Sequence, residues 1–380
     1  MKNLSIYIHI PFCVRKCLYC DFLSFPADTT LQESYFNALF AEILYYRDKL
    51  KDSGYLVSTI FIGGGTPSFP ESVWITRLME MIRKSFDISE NCEITMELNP
   101  GTETPDKLKE YKAAGINRLS IGLQSANDEE LRKIGRIHDY KTFFDCYRDV
   151  REAGFKNVNI DIMSALPGQS IDSYTETLEK VCRLSPEHIS AYSLIVEEGT
   201  PFYTMYEDMK GLPTEDEDRE MYEKTLEVLT KYGYHRYEIS NYSKEGFECR
   251  HNKVYWQRGD YLGLGLGSAS LMDNCRWNNC RNIKSYIDNS GTPDKIIENL
   301  EQLSIYSQME EFMFLGLRLI SGVSLNDFEK NFGKDIHDIY GKQIKKFIDE
   351  ELLEKEGEYI KLTSKGLDVS NYVMSDFLLD

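Results

Sequence analysis

Apolar and polar positions along the first two hundred residues alternate between two periods. Short runs rich in Val, Ile and Leu at residues 4–12, 57–62, 92–98, 118–123, 158–163 and 188–196 carry the strand signature. Between them lie longer stretches with one apolar face at helical spacing. The clearest is 31–50, where Leu31, Tyr35, Leu39, Ile43 and Tyr46 share a face; the others are 72–85, 105–114, 128–135, 141–153 and 171–184. Six βα units in succession predict a parallel sheet with helical cover. Periodicity does not decide between an open sheet and a partly closed barrel, but either way the loops after the strands are where a site belongs.

The rhythm then breaks. Residues 199–218 are turn-rich and acidic, a helix is predicted over 217–232, and 237–267 mixes aromatic residues and glycines in a loop-and-strand pattern that would close one side of a barrel. From about residue 300 the pattern predicts helices at 308–319, 325–332 and 340–351, a hairpin turning at Gly357, and a last helix, which together read as a winged helix. The expected division is 1–235, 236–300 and 301–380.

Composition narrows the function. At 380 residues and 42% hydrophobic, the chain can bury a large α/β core plus a smaller one. Its formal charge of −18 disfavours nucleic acid. Residues 300–380 hold 9 Lys/Arg against 16 Asp/Glu, so the winged-helix-like part is expected to serve as a lid or protein contact rather than a DNA reader. No apolar run reaches the ~20 residues of a membrane-spanning helix, and the first apolar stretch runs straight into a cysteine loop where leader cleavage would be destructive. A cytoplasmic protein is expected.

That loop, Cys13-Val14-Arg15-Lys16-Cys17-Leu18-Tyr19-Cys20, places three of nine cysteines within eight residues. Three thiolates are one short of the usual four around a cubane iron–sulfur cluster, which leaves one iron open to a small ligand. A structural zinc would want a fourth Cys or His nearby, and the next cysteine is Cys92. A redox C-x-x-C at Cys17 and Cys20 leaves Cys13 unexplained. The remaining cysteines are simplest as free thiols in a reducing compartment; Cys275 and Cys280 are near enough to pair, but the compartment argues against it.

Further candidates lie at strand ends. Gly63-Gly64-Gly65-Thr66-Pro67 lets backbone approach a ligand closely, and it lacks the lysine of a phosphate-binding loop. Glu97 could accept the paired hydroxyls of a ribose, with Gln124, Arg136 and Asp161 at or near neighbouring strand ends. A second focus is His251-Asn252-Lys253-Val254-Tyr255-Trp256. A single histidine is usually structural, but imidazole also ligates heme iron and the two aromatic side chains could pack on a porphyrin.

The cysteine loop, with Tyr19 before its last cysteine, resembles the radical S-adenosylmethionine (SAM) superfamily. Tyr7-Ile8-His9-Ile10-Pro11-Phe12-Cys13 and Tyr19-Cys20-Asp21-Phe22 are similar to the branch holding oxygen-independent coproporphyrinogen III oxidases and the heme chaperones related to them. The resemblance implies a partial (βα)6 radical SAM barrel, with Cys13, Cys17 and Cys20 holding a [4Fe-4S] cluster and SAM on its fourth iron. It also implies SAM contacts from Tyr7, Gly64, Gly65, Thr66, Glu97, Gln124, Arg136 and Asp161, with Tyr19 near the cluster. The oxidases carry a fourth loop cysteine where this chain has Phe22, and a long segment before the loop where this chain has twelve residues. The heme chaperones share the H-N-x-x-Y-W run. The expectation is therefore a chaperone that binds cluster, SAM and heme, the last through His251, and passes heme to an apo-hemoprotein, with the oxidase as the alternative. A homodimer, and contact with a membrane periphery during delivery, are compatible with that expectation.

Overall fold

The six apolar runs lie side by side in chain order as parallel strands of one sheet. The computed structural model describes residues 2–379. Strand β1 is Lys2–Ile10, β2 Tyr55–Gly64, β3 Ile88–Leu98, β4 Arg118–Gln124, β5 Val158–Ser164 and β6 His188–Ser193. Helices α1 (Thr29–Leu50), α2 (Ser72–Ser85), α3 (Pro105–Ala113), α4 (Asp128–Lys133), α5 (Tyr140–Glu152) and α6 (Ile171–Leu184) connect them. Several helix starts are fixed by side chains that satisfy an otherwise orphaned amide. Asp28, Thr104, Asp139 and Ser170 accept from the amides of Leu31, Lys107, Thr142 and Ser173.

The period-2 alternation sorts each strand into two faces. Ile6, Ile8, Ile60, Ile62, Met96, Leu119, Ile121, Ile160 and Ile162 are buried in one core with the helices. The opposite face carries Ser5, His9, Thr59, Glu93, Thr95, Glu97, Arg118, Ser120, Gln124, Asn159 and Asp161. A sheet apolar on its helical side and polar on its inner side curves around a polar lumen, and this lumen holds the site.

Beyond β6 come α7 (Pro201–Met205) and α8 (Glu215–Lys231), the latter opened by a capping box between Thr214 and Glu217. Strand β8 (Asn241–Ser243) adds antiparallel to β6, and β7 (His235–Arg236) pairs antiparallel with β8 at the edge. Helix α9 (Arg250–Trp256) follows. Strand β9 (Tyr261–Leu264) pairs parallel with β1, and β10 (Ala269–Met272), β11 (Cys275–Asn279) and, after helix α10 (Ile283–Asn289), β12 (Ile297–Gln302) extend that edge antiparallel. Residues 236–300 thus lengthen both edges of a twelve-stranded sheet, β12-β11-β10-β9-β1-β2-β3-β4-β5-β6-β8-β7, where the sequence had suggested closure of one side.

The C-terminal part has its own core around Met313, Phe328, Tyr340, Phe347 and Phe377. It comprises α11 (Ile305–Gly316), β13 (Val323–Ser324), α12 (Leu325–Phe332), α13 (Ile336–Asp349), β14 (Leu353–Glu356), β15 (Tyr359–Leu362), α14 (Ser364–Asp368) and α15 (Ser370–Ser375). The strands form a separate antiparallel sheet, β13-β15-β14, so the three-helix-and-hairpin pattern is present. It docks through buried Glu311, whose carboxylate meets Arg258 at 2.9 Å and Arg276 at 2.6 Å. Of the two expected roles, lid or protein contact, the lumen lining carries no residue of this part: no described residue beyond Asn252 lines it.

Candidate cofactor site

The cysteine loop leaves β1 at the mouth of the lumen and is pinned from several sides. Cys13 N–H donates to the Phe25 carbonyl at 3.1 Å, Leu18 N–H to that of Ile134 at 3.2 Å, and Phe202 N–H to that of Leu18 at 3.1 Å. Gly135 has φ +78° and passes so near Leu18 that a Cβ there would lie 2.9 Å from its side chain. Such anchoring turns three cysteines into one wall of a cavity of ≈580 Å³. Cys13 is buried, Cys17 and Cys20 are half-buried, and all nine cysteines are free thiols. Burial pushes the Cys13 and Cys20 thiols up. Among the described residues no three Cys, His, Asp or Glu side chains converge closely enough to share one ion. A tetrahedral zinc needs such convergence, whereas a cubane takes each thiolate on a different iron.

The glycines sit opposite. Gly64 has φ +115°, and a Cβ on it would fall 2.6 Å from the His9 ring; one on Gly65 would lie 2.7 Å from the Phe12 carbonyl and 3.0 Å from Cys13 Sγ. Glycine is therefore required for the loop and strand to meet. The N–H groups are already used: Gly64 donates to Glu97 Oε2 at 2.9 Å, Gly65 to the Ile10 carbonyl at 2.8 Å and Thr66 to the Phe12 carbonyl at 2.7 Å. The Gly65 carbonyl receives no hydrogen bond from any described residue, so the backbone here offers a ligand an acceptor. Thr66 Oγ1 donates to Cys13 Sγ at 3.4 Å and accepts from Asn99 Nδ2 at 2.7 Å, tying the loop to the end of β3.

Glu97, Gln124, Arg136 and Asp161 all line the same cavity, as do Tyr19, Gly64, Gly65 and Thr66. Burial and the nearby Asp161 charge push Glu97 up to about 8 against the Gly64 N–H bond. Burial also raises Asp161, which accepts from Asn159 at 2.7 Å and Ser120 at 3.2 Å. A ligand donating hydroxyl hydrogen bonds would favour the ionised forms of both. Gln124 takes φ +73° at a register shift between β4 and β5, a bulge that re-aims its side chain, and Tyr192 donates to it at 3.3 Å. Arg136 donates to Asn99 Oδ1 at 2.8 Å and the Gly122 carbonyl at 2.6 Å, and lies 3.7 Å from Cys17 Sγ. Its Nε is buried with no partner. A cation with donors to spare beside the sulfurs, an open carbonyl and two carboxyl groups fit a zwitterion with a ribose, and the soft sulfur donors fit iron.

Two predicted residues stand elsewhere. Tyr7 does not line the cavity; its hydroxyl is 3.0 Å from His9 Nδ1 and its ring stacks on Phe61. His251 is 1% exposed in α9, with Nδ1 2.8 Å from Thr59 Oγ1 and Nε2 2.9 Å from the Tyr255 hydroxyl. Burial lowers its pKa to about 3. An axial heme ligand needs a free nitrogen facing open space, and His251 has neither here. The helix itself departs from the loop-and-strand reading: Glu93 reaches from β3 to the amides of Arg250 and His251 at 3.2 and 3.1 Å and caps its start. Of this motif, Asn252 is the residue that lines the cavity.

Sequence reasoning passed over the lumen floor. Arg118, Ser120 and Gly122 line the cavity below Gln124, joined by Asn159, Ser190 and Asn241. The signal was available, because positions 118, 120, 122 and 124 share one face of a strand.

Comparison with known proteins adds the following. The radical SAM superfamily profile matches residues 7–181, and the HemN C-terminal domain profile matches 306–369. The chain is similar to the heme chaperone HemW of Lactococcus lactis subsp. lactis (strain IL1403), 37% identical over 100% of this chain and 98% of the other. It is likewise 36% identical to the heme chaperone HemW of Bacillus subtilis (strain 168), over 98% and 99%. Among solved structures, coproporphyrinogen III oxidase (HemN) from Escherichia coli, 24% identical, superposes with a TM-score of 0.85 over 99% of this chain and 90% of that one, a likeness of fold.

Proposed function

Because the chain belongs to the radical SAM superfamily and, within it, to the heme chaperone HemW family, we propose that it carries heme and hands it to an apo-hemoprotein. Cys13, Cys17 and Cys20 would hold a [4Fe-4S] cluster. The lumen would hold SAM, with Arg136 and the Gly65 carbonyl toward its methionyl end and Glu97, Gln124 and Asp161 toward its ribose. When bound to such a cluster, SAM supplies reductive cleavage chemistry. This chain's residues orient the ligand, exclude water and keep the Glu97 carboxyl protonated until hydroxyl donors reach it. Tyr7 would act at one remove, by fixing His9 against Gly64.

The observation that carries the chaperone reading over the oxidase is full-length similarity to heme chaperones together with Phe22. This side chain is 67% exposed at the cavity rim, where the oxidases have a fourth cysteine. The deciding experiment reconstitutes the cluster anaerobically, adds heme, and measures bound heme beside coproporphyrinogen III turnover. Heme bound in stoichiometric amount without turnover is expected; SAM-dependent decarboxylation of coproporphyrinogen III would make the protein an oxidase. A heme-loaded chain working in the cytoplasm, or at a membrane periphery during delivery, follows from the same reading. Among the described residues no helix is long and apolar enough to cross a membrane.

A further inference from the structure

At the floor of the lumen one cation stands without a partner. Arg118 is the largest fully buried side chain among the described residues, 2% exposed, and it lines the cavity. Its Nε is enclosed with no hydrogen bond. Its two terminal nitrogens make no hydrogen bond and no ion pair with any described residue, and the little surface they keep opens on the lumen. Other buried arginines are held, Arg258 by Glu311 at 2.9 Å and Arg136 by Asn99 at 2.8 Å. Glu93 and Asp161 are near enough to act on the Arg118 charge, yet both are spent elsewhere. Glu93 holds the amides of Arg250 and His251 at 3.2 and 3.1 Å, and Asp161 accepts from Asn159 at 2.7 Å and Ser120 at 3.2 Å. Asn159 Oδ1 in turn meets His188 Nδ1 at 2.6 Å and accepts from Ser190 at 3.2 Å.

The sheet register sets this cation apart from the groups assigned to SAM. Glu97, Ser120 and Asn159 stand at one level of the sheet, and Gly122, Asp161 and Ser190 at the next. Arg118 pairs with Thr95, two residues and about 7 Å of strand before Ser120, on the side away from the cysteine loop. We infer that the floor of the lumen is a carboxylate subsite, where the two terminal nitrogens of Arg118 receive the two oxygens of a monocarboxylate below the SAM position. The subsite is independent of the heme cargo and relies on the chaperone reading only for SAM at the strand ends. A guanidinium keeps its charge at any working pH, and its planar fork matches a planar two-oxygen acceptor. Buried donors left unpaired cost stability that such an acceptor recovers. A dianionic phosphate fits less well, because it asks for more donors than one fork supplies and would face Glu93 and Asp161 with twice the charge. The carboxylate comes either from a free small acid or from the acid end of a longer molecule that shares the lumen with SAM.

The test titrates acetate into full-length, cluster-loaded protein under anaerobic conditions, read by saturation-transfer NMR, with and without SAM. Wild type is compared with Arg118→Lys and Arg118→Met. Acetate should bind wild type and stay bound when SAM is added. Its affinity should fall about threefold in Arg118→Lys, which keeps the charge but not the fork, and about tenfold or more in Arg118→Met. Melting temperature and iron content report whether each variant folds, and if Arg118→Met does not, Arg118→Lys decides. Formate and butyrate separate the two sources. Tightest binding by formate assigns a free small acid, and affinity that climbs from acetate to butyrate assigns the end of a longer molecule. No acetate signal in wild type, or equal affinity in wild type and the folded variants, would overturn the subsite. Chloride that displaces acetate at equal concentration would overturn the preference for carboxylate. Acetate released by SAM would put Arg118 in the SAM site and overturn a separate floor. Wild type that binds acetate but not SAM would overturn the SAM placement and leave the floor standing.

Discussion

The lumen and the groove make opposite demands of a ligand. The lumen is lined by ionisable and hydrogen-bonding groups that already hold one another, Gly64 to Glu97, Thr66 to Cys13, Arg136 to Asn99. The groove, an opening of ≈390 Å³ between Trp256 of α9 and the C-terminal part, is lined mostly by aliphatic and aromatic side chains, with Arg318, Asn371 and Ser375 among them. A preorganised polar site is intolerant, because each lost partner strands another buried group. An apolar, open site loses affinity in proportion to the surface removed. Changes in the lumen should therefore act steeply and those in the groove by degrees.

The steepest effects belong to the cysteine loop. Cys17→Ala should abolish the cluster, read as iron and sulfide content after anaerobic reconstitution, while buried Cys146→Ala on α5 leaves it intact. Next come the glycines. Gly65→Val places methyls against Phe12 and Cys13 Sγ and should lower both cluster content and SAM affinity. Gly64→Ala meets only the His9 ring and an unfavourable φ, and should weaken SAM binding by roughly tenfold with the cluster retained. Equal SAM affinity for wild type and Gly64→Ala, measured by equilibrium dialysis, would contradict a steep lumen.

These contrasts also mark what the sequence disclosed. The βα alternation was legible because each strand is apolar toward the helices, and the helices expected from residues 105 and 171 do start there, behind the caps Thr104 and Ser170. The candidate residues came together because strand ends converge: Glu97, Gln124, Arg136 and Asp161 share one cavity. Tyr7 and His251 lie outside the cavity for a different reason. Whether a polar side chain is free or already partnered depends on contacts far along the chain, here Thr59 and Phe61 for His251, and spacing carries no record of them. The groove was invisible for the same cause, since Trp256, Arg318 and Met374 meet only in the fold.

A middle-sized effect concerns protonation. Glu97 titrates at about 8 in the folded protein, above its unfolded value near 4.5. A carboxyl whose folded pKa is raised makes the protein less stable as pH rises from the unfolded value to the folded one. Glu97→Gln should thus raise the melting temperature of ligand-free protein more at pH 8 than at pH 5. SAM affinity in wild type should grow as pH rises through 8, as the carboxylate that accepts ribose hydroxyls forms, and Glu97→Gln should flatten that profile. A wild-type profile without slope between pH 7 and 9 would remove Glu97 from the ribose contact.

The smallest effect tests whether helix α9 is a wall or a ligand. With both ring nitrogens engaged and the pKa lowered to about 3, His251 is a neutral strut between Thr59 and Tyr255. Tyr255→Phe removes one buried neutral hydrogen bond and should cost about 1–2 kcal/mol of stability. A histidine whose folded pKa lies below its unfolded one destabilises the fold as pH falls below the unfolded value of about 6.5. His251→Gln should therefore blunt the loss of melting temperature between pH 7 and pH 5. If His251 stays enclosed when heme binds, neither change should move heme affinity by more than about twofold. If instead the imidazole swings out to ligate heme, Tyr255→Phe frees Nε2 and tightens binding while His251→Gln abolishes it. Heme titration of these two variants thus separates a carrier that takes its cargo away from His251 from one that must open its own wall to take it.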